Sequence, residues 1–226
     1  MKPLVAIESR LISLLLAAGC VALGSCSPTG EGPSANPTSM GFAAGGTIHM
    51  QLHTGIVKVV GGPEDRITVS WRAKSSRDQR RVSVKLQRSG AKEATLDVEG
   101  PDDDTRYRIE VPQQSNLSIR MMAGELDVSG VLGNFDAELL AGEIDVRVGS
   151  PEQYRSVRAA VTAGEIIARP WQIDLDGLWR SFKAIGEGEY ELRAQLLAGQ
   201  ITIRSDQAQD PQPGNIDPST RSRSTK

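Results

Sequence analysis

The chain has 226 residues, 38% of them hydrophobic but only 4% aromatic, and a formal net charge of −2. That balance supplies no basic field to attract nucleic acid, and few platforms on which bases or sugar rings stack. The two cysteines, Cys20 and Cys26, stand near the start, so a disulfide framework and a cysteine-based metal site are excluded beyond residue 26.

Residues 1–25 read as an export signal. Lys2 and Arg10 supply positive charge, and Leu11 to Leu23 is an uncharged, largely apolar run of 13 residues. That is short for a membrane span, which needs about 20, and suits the apolar region of a signal peptide. The run ends in Leu23-Gly24-Ser25-Cys26. This resembles the lipobox of bacterial lipoproteins, where cleavage before the cysteine leaves a thiol that carries lipid. Cys20 is a rival, but it lies inside the run and lacks a Leu three residues before it. The resemblance implies a lipid anchor on Cys26 at the bacterial cell envelope. Ser27 after the cysteine, by likeness to Gram-negative sorting, favours the outer membrane. Residues 26–46 hold the lipidated Cys and a linker rich in Ser, Pro, Gly and Thr, read as a flexible tether.

Strand patterns fill the next stretch. Thr47 to Val60, Arg66 to Trp71, Arg81 to Leu86, Ala94 to Val98 and Tyr107 to Val111 each read as strands, and most of them alternate apolar with polar. Gly61-Gly62-Pro63-Glu64-Asp65 and Pro101-Asp102-Asp103-Asp104-Thr105 are turn clusters between them. No segment reads convincingly as a helix; the nearest is Asp176 to Ala184, weakened by Gly177 and the glycines that follow.

From Leu117 to Val148 one pattern occurs twice. With Gly124 or Gly142 as origin, apolar residues stand at −7, −5, −3, +2 and +4. Each half alternates with period two, and the phase changes at the glycine, as a corner between two half-buried strands requires. The template recurs around Gly55, Gly164 and Gly199, and all five positions are apolar in every copy. The steps from Gly124 are 18, 22 and 35 residues. A period near 20 predicts one coil of a solenoid, and longer steps predict coils with insertions. The expected fold is therefore all-β: a single-domain β-solenoid over residues 47–205, β-helix-like, with short parallel strands and corners at Gly55, Gly124, Gly142, Gly164 and Gly199. Residues 170–190, the longest insertion, carry Trp171, Trp179, Phe182 and Tyr190. They read as a cap or flap over an otherwise open end, with an aromatic ligand patch as the rival. Residues 206–226 are polar and charged and read as a disordered tail.

Outward positions carry the candidate chemistry. Stacking coils in chain order places Arg120 on Glu138 and Asp136 on Arg158, opposite charges in each case. The same stacking gathers Glu125, Asp127, Glu143, Asp145 and Glu165 into an acidic ladder. A solvated acidic face is one reading and a Ca²⁺ site the other, since carboxylates serve that hard cation. His49 and His53 stand about 13 Å apart along one strand, too far to share a metal. No phosphate loop or nucleophile elbow is present, and no cofactor is expected.

The repeated corners, Gly124-Glu125-Leu126, Gly142-Glu143-Ile144, Gly164-Glu165-Ile166 and Gly199-Gln200-Ile201, resemble a bacterial family known as "putative adhesin", related to the head domain of autotransporter adhesins. Gly177-Leu178-Trp179-Arg180-Ser181-Phe182 with Gly188-Glu189-Tyr190-Glu191-Leu192 is similar to that family's closing segment. The resemblance covers residues 47–205 and implies a β-helix-like solenoid at the cell envelope, with no catalytic residues. The expected role is a non-enzymatic binding or scaffolding module. Its partners would be the membrane, through the lipid, and an envelope or surface protein or a polysaccharide. The alternatives are a periplasmic structural or regulatory lipoprotein and, by fold analogy, a carbohydrate-active β-helix enzyme.

Overall fold

A computed structural model describes residues 37–101 and 104–205. The signal peptide, Cys20, Cys26, most of the linker, Asp102, Asp103 and the 206–226 tail lie outside the described residues. Strands dominate the rest: β1 (Thr38–Gly41), β2 (Gly46–Gly62), β3 (Arg66–Arg72), β4 (Ser83–Gly90), β5 (Glu93–Glu99), β6 (Arg106–Pro112), β7 (Ser115–Ser129), β8 (Phe135–Val148), β9 (Tyr154–Ala168), β10 (Ile173–Ile185) and β11 (Tyr190–Ser205). The one α-helix among them, α1 (Ser76–Gln79), is a single turn capped by the Ser75 side chain, which accepts from the Asp78 N–H. Two of these elements differ from the sequence expectation. The ordered fold reaches back into the stretch read as linker, because β1 pairs with β3 and Phe42 is buried. And α1 falls where the sequence offered no helix. The segment nearest to a helix pattern, Asp176 to Ala184, lies within strand β10.

All eleven strands form one sheet. The five glycine-bearing ribbons pair parallel and in register, in the order β2, β7, β8, β11, β9. Gly55 faces Gly124, Gly124 faces Gly142, Gly142 faces Gly199, and Gly199 faces Gly164. The sheet as a whole is mixed, which corrects the expectation of parallel strands throughout. β5 and β6 lie parallel to the two halves of β2, but β4 and β3 join them antiparallel, and β10 joins β9 antiparallel. Antiparallel strands therefore cover both ends of the parallel stack. An exposed parallel end would offer unpaired backbone and open core.

All the inward positions of the template are buried, none beyond the 6% exposure of Phe135. They form one continuous core in which the first and second halves of each ribbon face the same interior. The phase change at the glycine makes this possible: odd offsets point inward before the corner and even ones after it. Each of the five glycines has φ between 126° and 139°, a region closed to ordinary L side chains. Each ribbon is thereby bent about its glycine. In β2 the bend and its flanks bring the ends together: the Gly45 N–H donates to Gln114 O at 2.5 Å, and the Gln113 N–H donates to Gly62 O at 2.8 Å. A straight strand of that length would hold its ends about 55 Å apart.

Ribbon order departs from chain order. The last ribbon, β11, inserts between β8 and β9. The cause is β10, which follows β9 through a 3-10 turn at Arg169–Trp171 and occupies its outer edge. With that edge taken, β9 has one edge left, and β11 takes it.

Candidate binding surface

The glycine row forms a ridge. Two residues before each glycine the side chain points outward, since the residue at −3 points inward and side chains alternate. Along the ridge these positions are His53, Met122, Leu140, Leu197 and Thr162. On β10, Leu178 pairs with Ala163 and Arg180 with Val161, so Trp179 continues the row opposite Thr162. Met122, Leu140 and Leu197 are each more than half exposed, and Trp179 is 79% exposed. Neighbouring strands stand about 4.8 Å apart, so three large aliphatic side chains lie side by side in water, with Trp179 and Leu178 at the end of the line. An isolated exposed Leu requires no explanation; a contiguous row of them marks an interaction surface. The charges at −6, −4, +1 and +3 do not reveal this row; its signal in the sequence lies at −2, where three of five copies are apolar although alternation calls for a polar residue.

The scaffold under the ridge is close-packed. A Cβ placed on Gly124, Gly142, Gly164 or Gly199 would meet the carbonyl oxygen of the facing glycine. The ridge backbone consequently sits closer to its neighbours than any side chain allows.

The acidic residues flank the ridge on its far side. Glu125 faces Glu143 and Asp127 faces Asp145, as chain order places them. Beyond these the expected ladder is broken, because β11 contributes Gln200 and Thr202 before Glu165 of β9 is reached. Two cations also enter. Arg204 Nη2 lies 2.7 Å from Asp145 Oδ2, and Lys58 Nζ lies 3.8 Å from Asp127 Oδ2. Burial pushes the Asp145 carboxyl above the usual carboxylate range, an effect that Arg204 opposes and Asp127 reinforces. Among the described residues no three acidic, histidine or cysteine side chains are grouped to hold a metal ion. His49 and His53 are both exposed on β2.

The charge rows on the other side follow ribbon order as well. Arg120 reaches Glu138 at 3.1 Å, as the sequence places it, and also Asp136 at 2.9 Å. Asp136, however, does not meet Arg158. It faces Arg193, whose Nε is 3.9 Å from its carboxylate, because β11 has displaced β9. Arg158 sits between Arg193 and Lys183 instead, three cations on adjacent strands. The aromatic residues of the 170–190 insertion divide. Trp171 packs on Phe182 with ring centroids 5.5 Å apart, beneath β10, while Trp179 stands in solvent.

No known protein-family profile matches the chain, and neither does any curated protein. Several solved structures are similar to the chain, among them three that cover about three quarters of it. A "putative cell adhesion protein" from Clostridium sporogenes shares 12% identity over 75% of this chain and 99% of its own, with a TM-score of 0.49. A "putative adhesin" from Parabacteroides merdae shares 10% identity over 75% and 91%, with a TM-score of 0.23. A "putative lipid binding protein" from Parabacteroides distasonis shares 8% over 76% and 98%, with a TM-score of 0.22.

Proposed function

We propose that the chain is a non-enzymatic lipoprotein of the bacterial cell envelope, whose folded part is a β-solenoid that serves as a binding or scaffolding module. The observation that carries this reading is the exposed row Met122, Leu140, Leu197 and Trp179, set on a ridge of facing glycines. A rigid ribbon stack with aliphatic side chains held at strand spacing suits recognition of an apolar surface on another envelope protein. The return of both ends of β2 to Gln113 and Gln114 supports coiled ribbons, and the in-register glycines support a solenoid. Cys26 would carry the lipid, and the residues up to 37 would tether the domain to the membrane, on the outer membrane by the sorting resemblance.

The test uses the full chain in its native cell. Radiolabelled fatty acid should enter the wild type and not Cys26→Ser; label retained by that variant moves the anchor elsewhere. Solubilised envelope should then yield a partner with the wild type, identified by mass spectrometry. A variant with Met122, Leu140 and Leu197 all changed to Ser should fold and lose it. Equal recovery of the partner by that variant would remove the ridge from the account. Protease shaving of intact cells separates surface display, in which the domain is lost, from a periplasmic location, in which it is protected.

A further inference from the structure

The longest outer strand of the sheet is also its most apolar at the surface. At the far end the outer strands are β1, with four residues, and β4, with eight, and Arg88 of β4 donates to the Gly41 carbonyl of β1. At the near end β10 has thirteen, and among the described residues no strand pairs with its outer edge. Leu178 and Trp179 are 66% and 79% exposed at its bend, and Ile185 is 77% exposed near its end. A long, apolar, unpaired edge is a template for another strand.

The sequence of β10 selects the strand that fits. Its acids, Asp174 and Asp176, precede the bend, and its bases, Arg180 and Lys183, follow it. An antiparallel copy of the same strand lays acids against bases. Geometry fixes the register. Before the bend the odd-numbered Ile173 and Leu175 pack on the core; after it the even-numbered Phe182 and Ala184 do so. Inward residues face inward ones across the new pair when odd positions oppose even ones. A bent strand pairs along its length when its partner's bend lies alongside its own, and the bend of β10 spans Gly177 to Trp179, both at positive φ. One alignment sets each inward pair together and lays the two bends side by side, Leu178 opposite Trp179 and Gly177 opposite Arg180: Leu175 opposite Phe182, Ile173 opposite Ala184, Asp176 opposite Ser181 and Asp174 opposite Lys183.

The charge rows supply an independent reason. Arg193, Arg158 and Lys183 lie on three adjacent strands, ending at β10 with no acid beyond. Among the described residues Lys183, Asp174 and Asp176 form no ion pair, and the Arg180 guanidinium is spent on the Asp176 carbonyl of its own strand at 2.7 Å. The alignment brings an Asp174 to each Lys183.

We propose that two copies of this chain associate through β10, antiparallel and edge to edge, about a two-fold axis that passes between Leu178 and Trp179. The contact is isologous, so each pairing occurs twice, and the two apolar cores continue into one another through Leu175 and Phe182. Trp179 of each copy lies beside Leu178 of the other. This contact meets the aliphatic ridge at its end, Leu178 and Trp179, leaves Met122, Leu140 and Leu197 uncovered, and needs no lipid anchor.

Disulfide trapping tests it in the full chain, with Cys20 and Cys26 changed to Ser. Asp174→Cys and Lys183→Cys proteins, mixed and mildly oxidised, should give a covalent dimer whose linked peptides contain positions 174 and 183. Either protein alone should give none, since each new thiol then faces a lysine or an aspartate. A mixture that gives no dimer, or single variants that give as much as the mixture, overturns the proposal. A second reporter uses Asp176→Cys mixed with Ser181→Cys. Adding Lys183→Asp to both should lower the trapped yield at least about fivefold, by placing like charges opposite twice. Adding Asp174→Lys as well should restore it. Loss without restoration, or no loss, counts against the register and the second copy as occupant.

Discussion

Gly199 faces Gly142 across two parallel strands that are 57 residues apart in sequence, and a methyl group added to either of them meets backbone of a facing glycine. The relationship repeats at each interface of the glycine ribbons and explains the corner residue in four of them; at Gly55 an added carbon would meet the Thr105 carbonyl instead.

A Gly142→Ala variant should therefore be severely destabilised. Its Cβ adds strain at φ 128° and a collision with the Gly124 carbonyl, which cannot swing away as a side chain does. A loss of about 3 kcal/mol or more is expected. Gly177→Ala is the control. It has φ 119° too, but its Cβ meets the tip of Arg180, at 3.0 Å, and a side chain can yield. That variant should lose about 1–2 kcal/mol, the backbone strain alone. Urea midpoints at constant slope measure both.

Leu196 and Leu197 are neighbours in sequence with opposite duties. Leu196 is 3% exposed in the core, and Leu197 is 53% exposed on the ridge. Leu196→Ala should cost about 2–5 kcal/mol through lost burial and a cavity. Leu197→Ala should change stability by no more than about 0.5 kcal/mol. Comparable losses from both would show the ridge to be covered by the protein itself.

Ribbon order can be tested through charge. Arg158 lies between Arg193 and Lys183, so Arg158→Glu replaces two repulsions with two attractions. It should stabilise the fold by about 0.2–1 kcal/mol per contact at low salt, a gain that fades as salt screens it. Stacking in chain order, with Arg158 on Asp136, requires the opposite sign. Thermal melts at two salt concentrations decide between them.

Asp145 gives a pH signature. Burial raises its folded pKa above the unfolded value of about 3.9. The folded state therefore holds the proton more tightly than the unfolded state across the window between the two values. Stability contributed by this group is present below that window and falls as pH rises through it. Asp145→Asn has no proton to release, so its stability curve should lack that segment. Unfolding free energies of both proteins across mildly acidic pH check the difference in slope; parallel curves would mean that Asp145 is not the group responsible.

What the sequence determined by itself was local and periodic. Alternation told inward side chains from outward ones, the shift of phase at a glycine told where the chain turns, and the two together placed Ile144 or Ile201 in the core before any coordinates. The buried positions and the pairing of Arg120 with Glu138 follow from a register that a period of two and a matching corner impose. Tertiary structure decided which ribbon lies beside which. The inward pattern and the glycine are alike in β8, β9 and β11, so any of these satisfies any other as a parallel neighbour. The choice falls to the hairpin of β9 and β10, which uses up one edge of β9 and leaves β11 the place beside β8. That single non-local event breaks the acidic row with Gln200, turns Asp136 toward Arg193, and sets Leu197 between Leu140 and Thr162 on the ridge.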